Sequence, residues 1–277
     1  MNSNLIKQLI TWKANMKIIS FEKAIGEHYP EGLMRLDYVS DVDGLKDWAV
    51  LLPGENKELW IVVIHGHGSH GDQLFTRKDV REIWLPVFRA TGAGILCVNL
   101  RDNAWMGPAA AADMHDLVNY LRISHGMKKT IFCSGSMGGT SNLVYAVLHP
   151  EDVNGLVIRG AATDLATYYR WCKTQDKPII HEIAEAIRIS YGGTPDENPE
   201  LYRKHSALLN SEKITMPLFF IHGGADPIIP VEEARSLVEK IKKRKNIFYT
   251  EIPGGDHDSP LPETESFPAI VKMLKPD

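Results

Sequence analysis

The feature that most constrains this chain is a train of short, largely apolar runs from residue 59 onward, the first of them continuous. They are Leu59–Ile64 (LWIVVI), Gly94–Leu100 (GILCVNL), Thr130–Cys133 (TIFC), Gly155–Ile158 (GLVI), Leu218–Ile221 (LFFI) and Ile247–Ile252 (IFYTEI). Runs this short and this rich in apolar residues suit strands covered on both faces, as in a parallel sheet. Segments with helical character stand between most of them, at about 79–90, 109–125, 138–148 and 231–244, and another closes the chain at 264–274. The alternation predicts an α/β fold built on a doubly wound, mostly parallel sheet. In open sheets of this kind chemistry gathers beyond the carboxyl ends of the strands. The residues just after each run therefore carry the most information.

Two stretches depart from that rhythm. Residues 1–58 are expected to hold an N-terminal helix over 4–25, where Leu5, Ile6, Leu9 and Ile10 make an apolar stripe. A hairpin should follow, with strands near Leu33–Tyr38 and Trp48–Leu52 around the turn-rich SDVDG. Residues 161–215 separate two strand candidates by far more than an ordinary connection. They read as a helical insertion after the sixth strand, lying over the site. The whole of 1–277 reads as one domain, since this length suits one large core.

Composition narrows the partners. With 44% hydrophobic and 24% charged residues the chain can bury a large core and keep a polar surface. The formal charge of −4, from 31 Lys and Arg against 35 Asp and Glu, lacks the basic footprint of a nucleic-acid binder. The run Lys240–Lys245 (KIKKRK) suits the C-terminal end of a helix, where cations meet the negative dipole end. Three cysteines make a poor disulfide framework, and Cys97 and Cys133 sit inside apolar runs. The N-terminal stretch has no apolar core of signal-peptide length. No segment reaches the roughly 18–20 apolar residues of a membrane span. A cytoplasmic protein without a membrane span or a nucleic-acid partner is expected, with its oligomeric state left open.

The strongest local signal is TIFCSGSMGGT, Thr130–Thr140. A strand runs into Ser134-Gly135-Ser136-Met137-Gly138-Gly139 and then into a helix. This is the small-x-Ser-x-Gly pattern of a nucleophile elbow, with Ser134 at the usual first glycine. Small residues are needed because the chain turns sharply at the serine and packs close to its neighbours. A serine hydroxyl is a weak nucleophile without a base. Asp226 lies in the turn after FFIHGGADPIIP begins as a strand, and His257 lies in IPGGDHDSP after the last strand. The chain order serine, acid, histidine is the one expected of this pattern on an α/β sheet. Ser136 is read as nucleophile, His257 as base and Asp226 as its orienting acid. Asp256, Asp258 and Asp164 are competing acids and His222 a competing base. The backbone N–H groups of Met137 and His67 are the candidate oxyanion donors. The loop around His67, His65-Gly66-His67-Gly68-Ser69-His70, also has the H-x-H-x-x-H spacing of a zinc site. That rival leaves the elbow, Asp226 and His257 without a role, so neither a metal nor an organic cofactor is expected.

On these residues the chain resembles the α/β-hydrolases, and its second half is similar to the catalytic domain of the prolyl oligopeptidase-like group. The matching text is YGGTPDENPELYRKHSALLNSEKITMPLFFIHGGADPIIP and then PGGDHDSP, within a resemblance covering roughly 59–274. The resemblance implies the same three catalytic positions, Ser136, Asp226 and His257. Only about 58 residues precede the first hydrolase strand, and Met137 stands where such peptidases often carry an aromatic residue. Both departures point to a small serine carboxylesterase acting on a small-molecule ester. The alternatives are a small serine peptidase or amidase of the same group, and an inactive binding protein on a hydrolase fold. Trp105 and Met106 in RDNAWMG, with Tyr168, Tyr169 and Trp171 in the insertion, are candidate walls of the substrate pocket. Arg159 reads equally as a carboxylate binder or as the partner of a neighbouring acid.

Overall fold

The computed structural model describes residues 16–274. The strands are β1 (Lys17–Lys23), β2 (Met34–Val39), β3 (Lys46–Leu52), β4 (Asn56–Ile64), β5 (Ala93–Val98), β6 (Lys129–Gly135), β7 (Gly155–Arg159), β8 (Leu218–Gly223) and β9 (Ile247–Ile252). They form one sheet in the order β1-β2-β3-β5-β4-β6-β7-β8-β9. The pairs β1–β2, β2–β3 and β3–β5 are antiparallel, and all pairs from β5 through β4 to β9 are parallel. This is the α/β-hydrolase fold.

The helices are α1 (Gln73–Thr76), α2 (Lys78–Arg89), α3 (Pro108–His125), α4 (Ser136–Leu148), α5 (Leu165–Cys172), α6 (Pro178–Ser190), α7 (Pro199–His205), α8 (Val231–Ile241) and α9 (Ser266–Met273). Alternate residues of each central strand point to opposite faces, so the largely apolar runs feed two cores. On one face Ile61, Val63, Ile95, Cys97, Ile131, Cys133 and Val157 pack with Val80, Trp84 and Phe88 of α2 and Phe267 and Ile270 of α9. On the other, Val62, Ile64, Phe132, Leu156, Ile158 and Phe220 pack with α3, α4, α8 and the helices that follow β7. The basic run ends α8, where Lys240 and Arg244 donate to the carbonyls of Leu208 and Ser211 at 3.1 and 3.0 Å.

One expected element is different. Residues 17–23, placed by sequence in a helix over 4–25, form the edge strand β1 against β2; residues 4–15 lie outside the described residues. The segment KIISFEK carries Ile18, Ile19 and Phe21, β-branched and aromatic side chains that fit a pleated surface. The hairpin beside it offers an unpaired edge, which outweighs a weak helical stripe. With β1 counted, α5, α6 and α7 follow the seventh strand rather than the sixth. No helix among the described residues is long and apolar enough to cross a membrane.

Candidate active site

Strand β6 turns into α4 at Ser136, whose φ of 56° lies in the left-handed region that non-glycine residues avoid. The turn exists because α4 is pressed against the sheet. A Cβ on Gly138 would sit 2.1 Å from the carbonyl oxygen of Ile64, and one on Gly139 3.0 Å from Ala161 Cβ. Glycine at these positions permits the approach. Ser134 has its own reason for departing from glycine: its buried hydroxyl accepts the backbone N–H of Ile64 at 2.9 Å. It completes the end of the β4–β6 ladder with a side chain.

His257 reaches this serine from the loop after β9, and Asp226 reaches His257 from the turn after β8. The Ser136 hydroxyl meets His257 Nε2 at 2.9 Å, and His257 Nδ1 meets Asp226 Oδ2 at 2.7 Å. An ionised carboxylate only accepts, so Nδ1 carries the proton and Nε2 is left to accept from the serine. The other carboxylate oxygen, Asp226 Oδ1, accepts from the N–H groups of Ile228 and Ile229 at 2.8 and 3.0 Å. Burial opposes ionisation of Asp226, yet hydrogen bonds from His222 and His257 hold its carboxyl well below the usual range. Gly160, at φ 49°, backs the pair: a Cβ there would lie 3.5 Å from both Asp226 Oδ2 and His257 Nδ1.

The competing residues are engaged elsewhere. His222 is fully buried, with Nε2 at 2.9 Å from the Ile229 carbonyl and 3.3 Å from Asp226 Oδ2. It supports the acid rather than facing the serine. Asp164 caps α5, accepting from Thr167 N at 2.7 Å and from the Ser206 hydroxyl at 2.6 Å. Asp256 accepts from the Ser259 hydroxyl at 2.7 Å, and Asp258 lies 3.5 Å from Arg77.

The loop after β4 runs beside the serine, with a Cβ built on Gly66 falling 3.9 Å from Ser136 Cβ. The Gly66 N–H is taken by Gln73 Oε1 at 2.9 Å. The N–H groups of His67 and Met137 donate to no protein acceptor among the described residues. The imidazoles of the H-x-H-x-x-H motif diverge instead of converging on one point. Both ring nitrogens of His65 face backbone carbonyls at 2.8 Å, and His70 faces Asp102 at 3.5 Å on the surface. His67 Nδ1 accepts from Trp105 Nε1 at 3.3 Å, and burial lowers its pKa, favouring the neutral ring this bond needs.

A second loop, after β5, clamps the first. Leu100, Arg101, Asp102, Trp105 and Met106 all have positive φ, from 46° to 58°. Such a run is costly and persists only where its surroundings fix it. Asp47 accepts from Arg101 N at 2.8 Å, and the Arg101 guanidinium meets Asp43 and Asp113 at 2.7 and 2.6 Å. From this braced segment Asn99 and Asn103 side chains accept from the Gly71 and Gly68 N–H groups at 3.1 and 2.7 Å.

The cleft beside Ser136 and His257 is walled by Leu74, Val80, Trp84, Pro260 and Leu261, with Arg77 and Arg159 among its charged lining. The five expected pocket residues do not line it. Trp105, Met106 and Tyr168 are fully buried, and Tyr169 and Trp171 pack against the core on the opposite face of the sheet. Tyr168 is a packing residue whose hydroxyl donates to the Ile228 carbonyl at 3.0 Å. Sequence reasoning did not single out the α1–α2 wall, since Leu74, Val80 and Trp84 are buried apolar side chains that no motif distinguishes from the rest of the core.

Comparison with known proteins agrees with this architecture. A family profile described as the prolyl oligopeptidase family matches residues 106–266. Esterase LipC of Mycobacterium tuberculosis is 38% identical over 72 residues, a stretch covering 25% of this chain and 18% of that protein. Among solved structures, the fluorophosphonate-binding serine hydrolase F of Staphylococcus aureus superposes with TM-score 0.67 at 14% identity, covering 90% of this chain and 100% of that one. A dipeptidyl aminopeptidase IV-like protein of Bacteroides ovatus gives 0.66 at 16% identity, over 87% of this chain and 35% of its own. An esterase of Pyrococcus furiosus gives 0.63 at 14%, over 92% and 96%. With the profile spanning more than half of its length, and the elbow serine within the matched stretch, this chain belongs to the prolyl oligopeptidase family of serine hydrolases.

Proposed function

We propose that the chain hydrolyses carboxylic esters through an acyl-enzyme formed on Ser136. The observation that carries this reading is the continuous hydrogen-bonded chain from the Ser136 hydroxyl through His257 to Asp226, at 2.9 and 2.7 Å. Ser136 Oγ attacks the ester carbonyl carbon as its proton passes to His257 Nε2. Asp226 holds the ring through Nδ1 and stabilises its cation. The N–H groups of His67 and Met137 donate to the oxyanion. Collapse breaks the bond to the alcohol oxygen, which takes the proton from Nε2. Water, giving its proton to His257, then attacks the acyl carbon, and a second collapse frees the acid and returns the proton to Ser136. Apart from the ester and water, these steps draw on the protein's own groups.

The ester preference is supported by the esterases among the similar proteins. The family name and the dipeptidyl aminopeptidase-like neighbour favour a second reading, cleavage of peptides by the same groups. Fluorophosphonate labelling tests the mechanism: the wild type should be labelled and Ser136→Ala should not. Ser136→Ala should also lower kcat on nitrophenyl esters by about three to six orders of magnitude. Wild-type-like turnover by that variant would sink the mechanism. Faster cleavage of aminoacyl anilides than of aryl esters would replace the ester reading by the peptidase one.

A further inference from the structure

One charged side chain in the cleft has no part in the acyl-transfer steps. Arg159 ends β7, and the sheet register sets it opposite Gly135, the residue before Ser136. A Cβ built on Gly135 would lie 3.5 Å from Arg159 Cβ, which places the arginine directly beside the residue that precedes the serine. The Arg159 side chain is only 4% exposed, yet the residue lines the same cleft as Ser136 and His257. Its Nη2 donates to the Glu263 carbonyl at 2.6 Å and to Glu263 Oε2 at 3.2 Å, Nη1 lies 3.4 Å from Cys133 Sγ, and the guanidinium sits 4.6 Å above the Trp84 ring.

The one guanidinium nitrogen not yet accounted for, Nε, is buried and has no acceptor among the described residues. A buried donor of a charged group left without an acceptor is costly, and such exceptions call for a functional account. The charge balance of the lining favours an anion. Arg77, Arg159 and Asp258 line the cleft, whereas Asp79 and Glu263, which pair with the arginines, do not. Glu263 is moreover committed to Ser266, accepting from its N–H at 2.7 Å and from its hydroxyl at 2.6 Å.

We propose that this cleft is a subsite for a carboxylate held by Arg159, so that the preferred ester carries a free carboxylate close to the bond that is cut. The proposal rests on the ester reading and names its substrate class. A guanidinium matches a carboxylate in shape and charge, and apolar walls raise the worth of the contact by excluding water. The carboxylate belongs either to the acyl part, as in a monoester of a dicarboxylic acid, or to the alcohol.

Two matched pairs of esters separate these sources: nitrophenyl hemiglutarate against nitrophenyl valerate, and carboxyphenyl butyrate against phenyl butyrate. In the wild type, kcat/KM for the charged member of one pair should exceed that of its neutral partner by roughly ten- to a hundredfold, the worth of one charge-assisted hydrogen bond. In Arg159→Met that ratio should fall to about one, and in Arg159→Lys it should be partly kept, since a point charge remains without the fork. Because Arg159 is buried and its variants are at risk of misfolding, the wild-type ratios decide by themselves. Neutral preference in both pairs overturns the subsite and leaves the ester reading intact. If a preparation whose parallel sample takes the fluorophosphonate label cleaves none of the four esters while itself unlabelled, both are overturned. An undiminished ratio in folded Arg159→Met overturns the assignment to Arg159.

Discussion

Asp226 shows how much one carboxylate can organise. Its two oxygens accept from the His257 and His222 rings and from two backbone N–H groups, with its side chain wholly buried. Asp226→Asn keeps the shape but cannot hold the His257 tautomer, because an amide donor would face Nδ1. It should lower kcat by roughly four orders of magnitude with little change in KM, checked by steady-state kinetics on an aryl ester. The lowered carboxyl pKa also fixes the sign of a pH effect. The stability drawn from these contacts is fully present above the ordinary carboxylate value of about 3.9, and is lost as pH falls through the lower folded value. At this scale the sequence was most legible where chemistry follows strand ends: Ser136, Asp226 and His257 could each be placed by counting runs. The Ser134 bond to Ile64 joins strands distant in sequence, the support from His222 comes from only four residues before Asp226, and no local pattern announces either of them or the open donor of Arg159.

Between elements, the left-handed run after β5 acts as a brace for the loop that carries His67. Trp105 Nε1 is its direct link to the His67 ring. Trp105→Phe keeps most of the buried ring and removes that donor. It should lower kcat several-fold with KM nearly unchanged and thermal stability reduced only modestly, whereas a purely structural loss would shift the melting temperature and leave kcat per folded molecule intact. The brace is gripped in turn from the other side: the Tyr191 hydroxyl lies 3.4 Å from the Trp105 and Met106 carbonyls and 3.2 Å from His205 Nδ1. Burial pushes His205 down to about 4. An unfolded chain binds that proton near pH 6.5, so stability should fall as pH drops from about 6.5 to 4, by up to about 3 kcal/mol, and level off below. Melting temperatures measured against pH should show a shallower acid slope in His205→Gln. The insertion was visible in the sequence as an overlong connection, but not what it grips. Its aromatic residues looked like pocket walls because composition does not tell which face of a sheet a side chain meets. The β1 segment was misread for a related reason: strand pairing depends on a partner edge that a local helical pattern does not include.

For the molecule as a whole, the largely apolar runs were enough to forecast a parallel sheet clad on both sides, because side chains buried front and back leave no polar alternation. Which helices clothe which side was not foreseeable. The α2–α9 side rests on aromatic contacts, with the Phe88 and Phe267 rings 4.6 Å apart. Phe267→Ala should cost about 3–5 kcal/mol in denaturant unfolding and loosen the wall that includes Trp84. The helices after β7 pack on the other side of the sheet and give no residue to the cleft lining described above, while Tyr191 from the same stretch holds the segment behind His67. Drift in the length or makeup of 161–215 would reach catalysis through the Tyr191 grip on the Trp105 segment, whereas a designer wishing to retune which substrates enter would recut 74–84 and 258–263.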